Sequence, residues 1–291
     1  MAALNDAYNT CNSTYDTRVP RVLRQETTAG AGAQLLLLAA LGTTVGLGPA
    51  GWLTGLAFTA ATWALLTRAL SRQWPPARRF GPANAVTLAR TTLVGGVTAL
   101  VAESVASGET VAGAPVVLLT GLTAVALFLD AVDGKVARRT GTASPLGARF
   151  DMEVDAFLIM VLSVYVATML GAWVLLIGAM RYVFVAAARV APWLNAPLPP
   201  SMARKTVAAL QGVLLLTATT GALPRVPLYA VVLTALATLV WSFGRDILGL
   251  WHGRHTAAVA PQAPAVPTPT AHLALAGGKP GGGLGGLRGS R

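Results

Sequence analysis

Cysteine is almost absent from this chain: Cys11 is the only one in 291 residues. That excludes an internal disulfide and any cysteine-ligated metal site. Charge is scarce as well, at 11% of residues against roughly 25% in a soluble globular protein. Charge of negative sign is the scarcer, with 11 Asp and Glu against 22 Lys and Arg, for a formal net charge of +11. With 54% hydrophobic residues and a mean hydropathy of +0.60, this is the composition of a polytopic membrane protein. In a soluble protein such a basic excess would point to nucleic acid. Here the cations fall between apolar runs, where they anchor helix ends to anionic lipid, and no nucleic-acid partner is expected.

Residues 1–30 lack the charged start and apolar core of a cleaved leader and read as a disordered, cytoplasmic tail. Apolar runs at about 33–49 and 51–70 are joined by a Gly-Pro-Ala-Gly turn and predict a transmembrane hairpin over 31–70. The stretch SRQWPPARRFGPANA (71–85) is basic, aromatic and broken by proline, as befits a segment at headgroup level. Six further apolar segments follow, at about 86–106, 112–139, 146–169, 172–191, 203–222 and 226–247, within a membrane domain bounded at 71–252. The second is too long for one crossing and should project past the hydrocarbon. Residues 253–291, rich in Ala, Pro and Gly, cannot bury a core and read as a second disordered tail.

Lys and Arg are missing from the loops near residues 50, 108 and 171, and only Arg225 falls on that side. The opposite loops carry nearly all the cations. Cytoplasmic loops retain such residues, so eight spans are expected with both termini cytoplasmic, in the plasma membrane.

Five of the 11 acidic residues are concentrated between Asp130 and Asp155. Asp130, Asp133 and Ala137 recur at i, i+3 and i+7 on one helical stripe, and Asp151 and Asp155 at i, i+4 on the next helix. If those helices pack together, four carboxylates converge, and hard divalent ions such as Mg²⁺ favour oxygen-rich sites of that kind. Solvated helix-end charges are the plainer alternative, opposed by the cost of placing acids in a membrane. Glu153 falls off the Asp151/Asp155 face.

The stretch reads D-x-x-D-G-x-x-A-R, eight residues, then G-x-x-x-D-x-x-x-D, met by Asp130, Asp133, Gly134, Ala137, Arg138, Gly147, Asp151 and Asp155. In this it resembles the CDP-alcohol phosphotransferase family, and among its members those like phosphatidylglycerophosphate synthase. Asn84, Thr87 and Arg90 are similar to the N-x-x-T-x-x-R opening of that family's first core helix. Pro200 to Thr206, with Lys205 and then Gln211, resemble the opening of its fifth. The resemblance covers about 80–247, a six-helix core, and leaves the hairpin outside.

The resemblance implies an all-α membrane enzyme. It would transfer a substituted phosphate group from a CDP-linked donor, CDP-diacylglycerol above all, to an alcohol, releasing CMP for phospholipid synthesis. It implies two Mg²⁺ ions, with Mn²⁺ as a substitute, ligated by Asp130, Asp133 and Asp151. Asp155 is the implied general base and touches the second ion. Asp133, Gly134, Ala137, Arg138 and Gly147 would hold the nucleotide, the glycines allowing close backbone approach. A homodimer is also implied. Arg181, an arginine inside an apolar run, is with Arg189 and Lys205 a candidate for binding an acceptor phosphate. Glycerol 3-phosphate is the first acceptor expected and inositol phosphate the second, although Tyr182 follows Arg181 where many phosphatidylglycerophosphate synthases carry Glu. Two rivals are an aspartate-rich membrane prenyltransferase, which lacks the D-G-x-x-A-R core, and a divalent-cation transporter, whose acids would sit near the bilayer midplane.

Overall fold

The computed structural model describes residues 21–71, 82–108, 113–140, 145–196 and 201–259. These form eight α-helices: α1 (Arg21–Val45), α2 (Pro49–Ser71), α3 (Pro82–Ser107), α4 (Ala114–Thr140), α5 (Pro145–Leu170), α6 (Leu175–Val190), α7 (Met202–Thr219) and α8 (Arg225–Val259). Short 3₁₀ turns at Ala172–Val174 and Pro192–Asn195 bracket α6, and no strand occurs among the described residues. Seven helices are long and apolar enough to cross a membrane, so the chain is an all-α, multi-pass membrane protein.

The boundaries differ from expectation at three places. The first helix starts at Arg21, ten residues before the hairpin was expected to begin, because Arg, Gln and Glu support a helix without any apolar periodicity to announce it. The last helix runs to Val259 rather than stopping near 252. The helix α7 is the one missing from the seven spans: Arg204, Lys205 and Gln211 dilute an 18-residue segment that was expected to cross. The remainder of the two expected tails, 1–20 and 260–291, and most of the headgroup-level stretch lie outside the described residues.

At the centre stands α3, packed against α1, α2, α4 and α5. Its Val94, Val97 and Leu100 are buried in one core with Leu119 and Ala126 of α4, Leu158, Leu162 and Val166 of α5, Leu215 of α7 and Val232 of α8. Small residues let the backbones approach, since lipid offers no hydrophobic drive between helices and close packing must supply the attraction. A Cβ added at Gly178 of α6 would lie 2.5 Å from the Cα of Met160 on α5. Gln211 carries out the polar version of the same task, donating from Nε2 to the Ala235 carbonyl (2.8 Å) and to Thr238 Oγ1 (3.2 Å), which ties α7 to α8.

The hairpin of α1 and α2 docks on α3 by polar as well as apolar contacts. The turn between them carries Gly46 at φ 71, a left-handed conformation that glycine adopts without penalty. Just beyond, the Gly51 N–H donates to Glu103 Oε2 at 2.9 Å, so a carboxylate from the end of α3 satisfies an unpaired donor in the first turn of α2. Deeper in the bundle, Gln34 of α1 is buried against Gly95 of α3.

Candidate active site

Three helices deliver the site. From the first turns of α5 come Asp151 and Asp155, on one face by their i, i+4 spacing. From the end of the apolar part of α4, Ala114–Val132, comes Asp130. From α3 comes Arg90, at 1% exposure one of the largest fully buried side chains of the molecule. Its guanidinium lies at the meeting point of the acids. One terminal nitrogen, Nη1, donates to Asp130 and to Asp155 Oδ1, the latter at 2.8 Å. The other, Nη2, donates to the Asp151 carboxylate and approaches its main-chain carbonyl at 3.4 Å.

The burial of the two charge signs differs. The carboxylates of Asp130, Asp151 and Asp155 are 38%, 33% and 42% exposed, whereas the guanidinium beneath them is enclosed. The acids thus face an open side with a cation at their back. Each offers a carboxylate oxygen, and these oxygens lie within 4.8 Å of one another. That separation suits one oxygen-ligated divalent cation, whose ligands stand at about 2.0–2.6 Å from the ion. The charge suits it too, because three carboxylates share this one guanidinium and a divalent cation would balance what it does not. The residues present therefore fit a divalent metal.

Of the four carboxylates the sequence groups, Asp130, Asp133, Asp151 and Asp155, the fold brings Asp130, Asp151 and Asp155 together. The side chains of the other signature residues, Asp133, Gly134, Ala137, Arg138 and Gly147, lie outside the described residues, although their backbone is helical. The expected acceptor residues are not gathered into one group. Arg181 donates from Nη2 to Glu153 Oε1 at 2.5 Å, bridging α6 to the outward face of α5 beside the triad. Its Nε is buried and finds no partner among the described residues. Arg189, two turns further along α6, and Lys205, on α7, are exposed and form no ion pair among the described residues. Arg204 instead pairs with Asp246 of α8 at 3.5 Å, beside Arg245, which donates to Ser201 Oγ at 3.1 Å and stacks over Trp241.

Arg90 closes the N-x-x-T-x-x-R opening of α3, a pattern that gives it no role by itself. Its signal was available in principle, as an arginine one turn inside an apolar run (AVTLARTTLVGG), where an ionisable residue needs a partner. What the sequence does not print is the partner, which lies 40 to 65 residues away.

No curated protein and no solved structure matches the chain. The family model of the CDP-alcohol phosphatidyltransferases does match, over residues 80–242, which takes in all three helices of the site. That match spans more than half of the chain, and the protein belongs to the CDP-alcohol phosphatidyltransferase family, whose members are transferases of substituted phosphate groups.

Proposed function

We propose that the chain transfers the phosphatidyl group of CDP-diacylglycerol to the hydroxyl of a small phosphorylated alcohol, glycerol 3-phosphate first and inositol phosphate second, releasing CMP. The observation that carries this reading is the convergence of Asp130, Asp151 and Asp155 on oxygens within 4.8 Å of one another, open on one side. Those three residues would hold Mg²⁺, or Mn²⁺ in its place, and a second ion would draw on Asp133. The bound metal supplies neutralisation of the donor pyrophosphate and of the departing CMP.

Asp155 is assigned the proton. Its Oδ1 accepts from Arg90, which leaves Oδ2 to take the proton from the acceptor hydroxyl. The acceptor oxygen then bonds to the phosphorus that bears the diacylglycerol, the bond from that phosphorus to CMP breaks, and CMP departs with the electron pair. The nucleotide is assigned to Asp133, Gly134, Ala137, Arg138 and Gly147. Among the acceptor residues Arg181 has the strongest support, because its ion pair with Glu153 of α5 holds it beside the triad. Arg189 and Lys205 are retained as outer contacts for an incoming phosphate.

The position of the acids favours catalysis over ion transport. Asp130 lies two residues before the end of the apolar stretch Ala114–Val132, and Asp151 one residue after the start of Phe150–Leu170, so both are at the ends of spans rather than at mid-membrane. We assign that end, with both termini, to the cytoplasmic face of the plasma membrane, on the distribution of Lys and Arg and with the less apolar α7 counted as an eighth crossing beside the seven. A homodimer is the assembly we expect.

Purified protein given CDP-diacylglycerol, Mg²⁺ and a panel of glycerol 3-phosphate, inositol phosphate, serine and phosphatidylglycerol tests the reading. CMP release that depends on one phosphorylated acceptor supports it. Release with serine alone would overturn the acceptor class, and folded protein that releases no CMP with any of them would overturn the donor.

A further inference from the structure

The environment of Arg90 is unusual for an ion pair. Its side chain is 1% exposed, between Thr87 and Thr91, which are themselves buried, and its three acidic partners come from two other helices. A buried charge is costly to desolvate unless its hydrogen bonds and counter-charges are good. Among the described residues every bond this guanidinium makes is to the acids of the site, and its Nε has no partner. The dependence is mutual. Three carboxylates with oxygens inside 4.8 Å repel one another strongly in a low-dielectric setting, and Arg90 is the cation that joins all three.

Resting on the reading of this triad as a metal site, we propose that Arg90 is a positioning residue and resident counter-cation: it holds Asp130, Asp151 and Asp155 in liganding position from the buried side while opposing the divalent ion on the open side, and so sets the site's metal affinity.

Two effects follow from one charge. Without an ion, Arg90 neutralises part of the cluster and keeps α3, α4 and α5 together. With an ion, the same guanidinium is a like charge behind a shared set of carboxylates, and it weakens binding. Replacing Arg90 with a neutral residue should therefore make the metal-free protein less stable and the metal-bound site tighter. A residue that merely braced the helices would have another signature, since its loss would lower stability with or without metal and would not tighten the site.

The probe is Mn²⁺, titrated by electron paramagnetic resonance into the full-length protein in detergent micelles, with thermal unfolding followed in parallel. For Arg90→Gln the expected result is a Kd for Mn²⁺ lower by about tenfold than that of the unsubstituted protein, and a larger rise in unfolding temperature on adding Mn²⁺. Arg90→Lys keeps the charge and loses the fork, so its Kd should stay near the original value; it also serves as the folded comparison should Arg90→Gln fold poorly. Unchanged or weaker Mn²⁺ binding in Arg90→Gln overturns the inference, as does an Arg90→Lys site as tight as that expected of Gln. If the unsubstituted protein binds no Mn²⁺ that Asp151→Asn abolishes, the metal-site reading falls and takes the inference with it. Binding lost in Asp151→Asn but no tighter in Arg90→Gln sinks the inference alone.

Discussion

Asp130 and Glu153 are both acids near the site, yet they have different surroundings. Asp130 shares Arg90 with the other two aspartates, whereas Glu153 points away and pairs with Arg181. Asp130→Asn should therefore lower acceptor-dependent CMP release by about 10²-fold or more, the scale of losing a group that acts at the reacting centre. Glu153→Gln should cost less than about tenfold, because it removes an exposed ion pair and leaves the triad untouched. Equal losses would contradict the division between them. That division was legible in the sequence, since helical spacing alone sets Glu153 apart from Asp151 and Asp155. The role of Arg90 was not, because a helical period relates neighbours within one segment and carries nothing about a partner on another.

At the scale of elements, α5 and α6 meet where Gly178 faces the backbone of Met160. Gly178→Val should destabilise the protein by about 1–3 kcal/mol, because backbone at the contact yields less readily than a flexible side chain, and thermal unfolding in detergent would register it. A smaller change, or none, would mean the helices can separate freely there. Gln34 provides the opposite case. It is 3% exposed and neither amide atom has a partner among the described residues. Gln34→Met, of similar length without the polar group, should raise stability by about 1 kcal/mol, and a loss instead would reveal a bond to that amide. The number and order of the helices were readable from apolar runs. Their ends were less so, because α1 opens on polar helix formers and α7 holds two cations and a glutamine that lower its apolarity without breaking its helix.

For the whole molecule, the hairpin lies outside the residues matched to the family, yet it is fastened to α3, the helix that carries Arg90, through Glu103 and Gln34. The sequence marked the hairpin as an addition and could not show its place, which depends on contacts between residues some 50 or more apart in the chain. Topology can be tested with the lone cysteine. A membrane-impermeant maleimide should label Cys11 in inside-out vesicles and not in right-side-out ones, and the pattern should reverse for Gly108→Cys in a Cys11→Ser background, since Gly108 is exposed at the opposite end of α3 from Arg90. Labelling of both from one side would reject an odd number of crossings between them.

On our proposal, three aspartates held around Arg90 bind the divalent ion on which transfer depends. The most direct measurement is CMP release from CDP-diacylglycerol by chelator-stripped protein, with Mg²⁺ then restored stepwise to the unsubstituted chain and to Asp151→Asn. Release should be absent after stripping, return with Mg²⁺ in the first, and stay lower by about 10²-fold or more in the second. Full turnover after stripping, or an Asp151→Asn protein that Mg²⁺ restores to the unsubstituted rate, would contradict it.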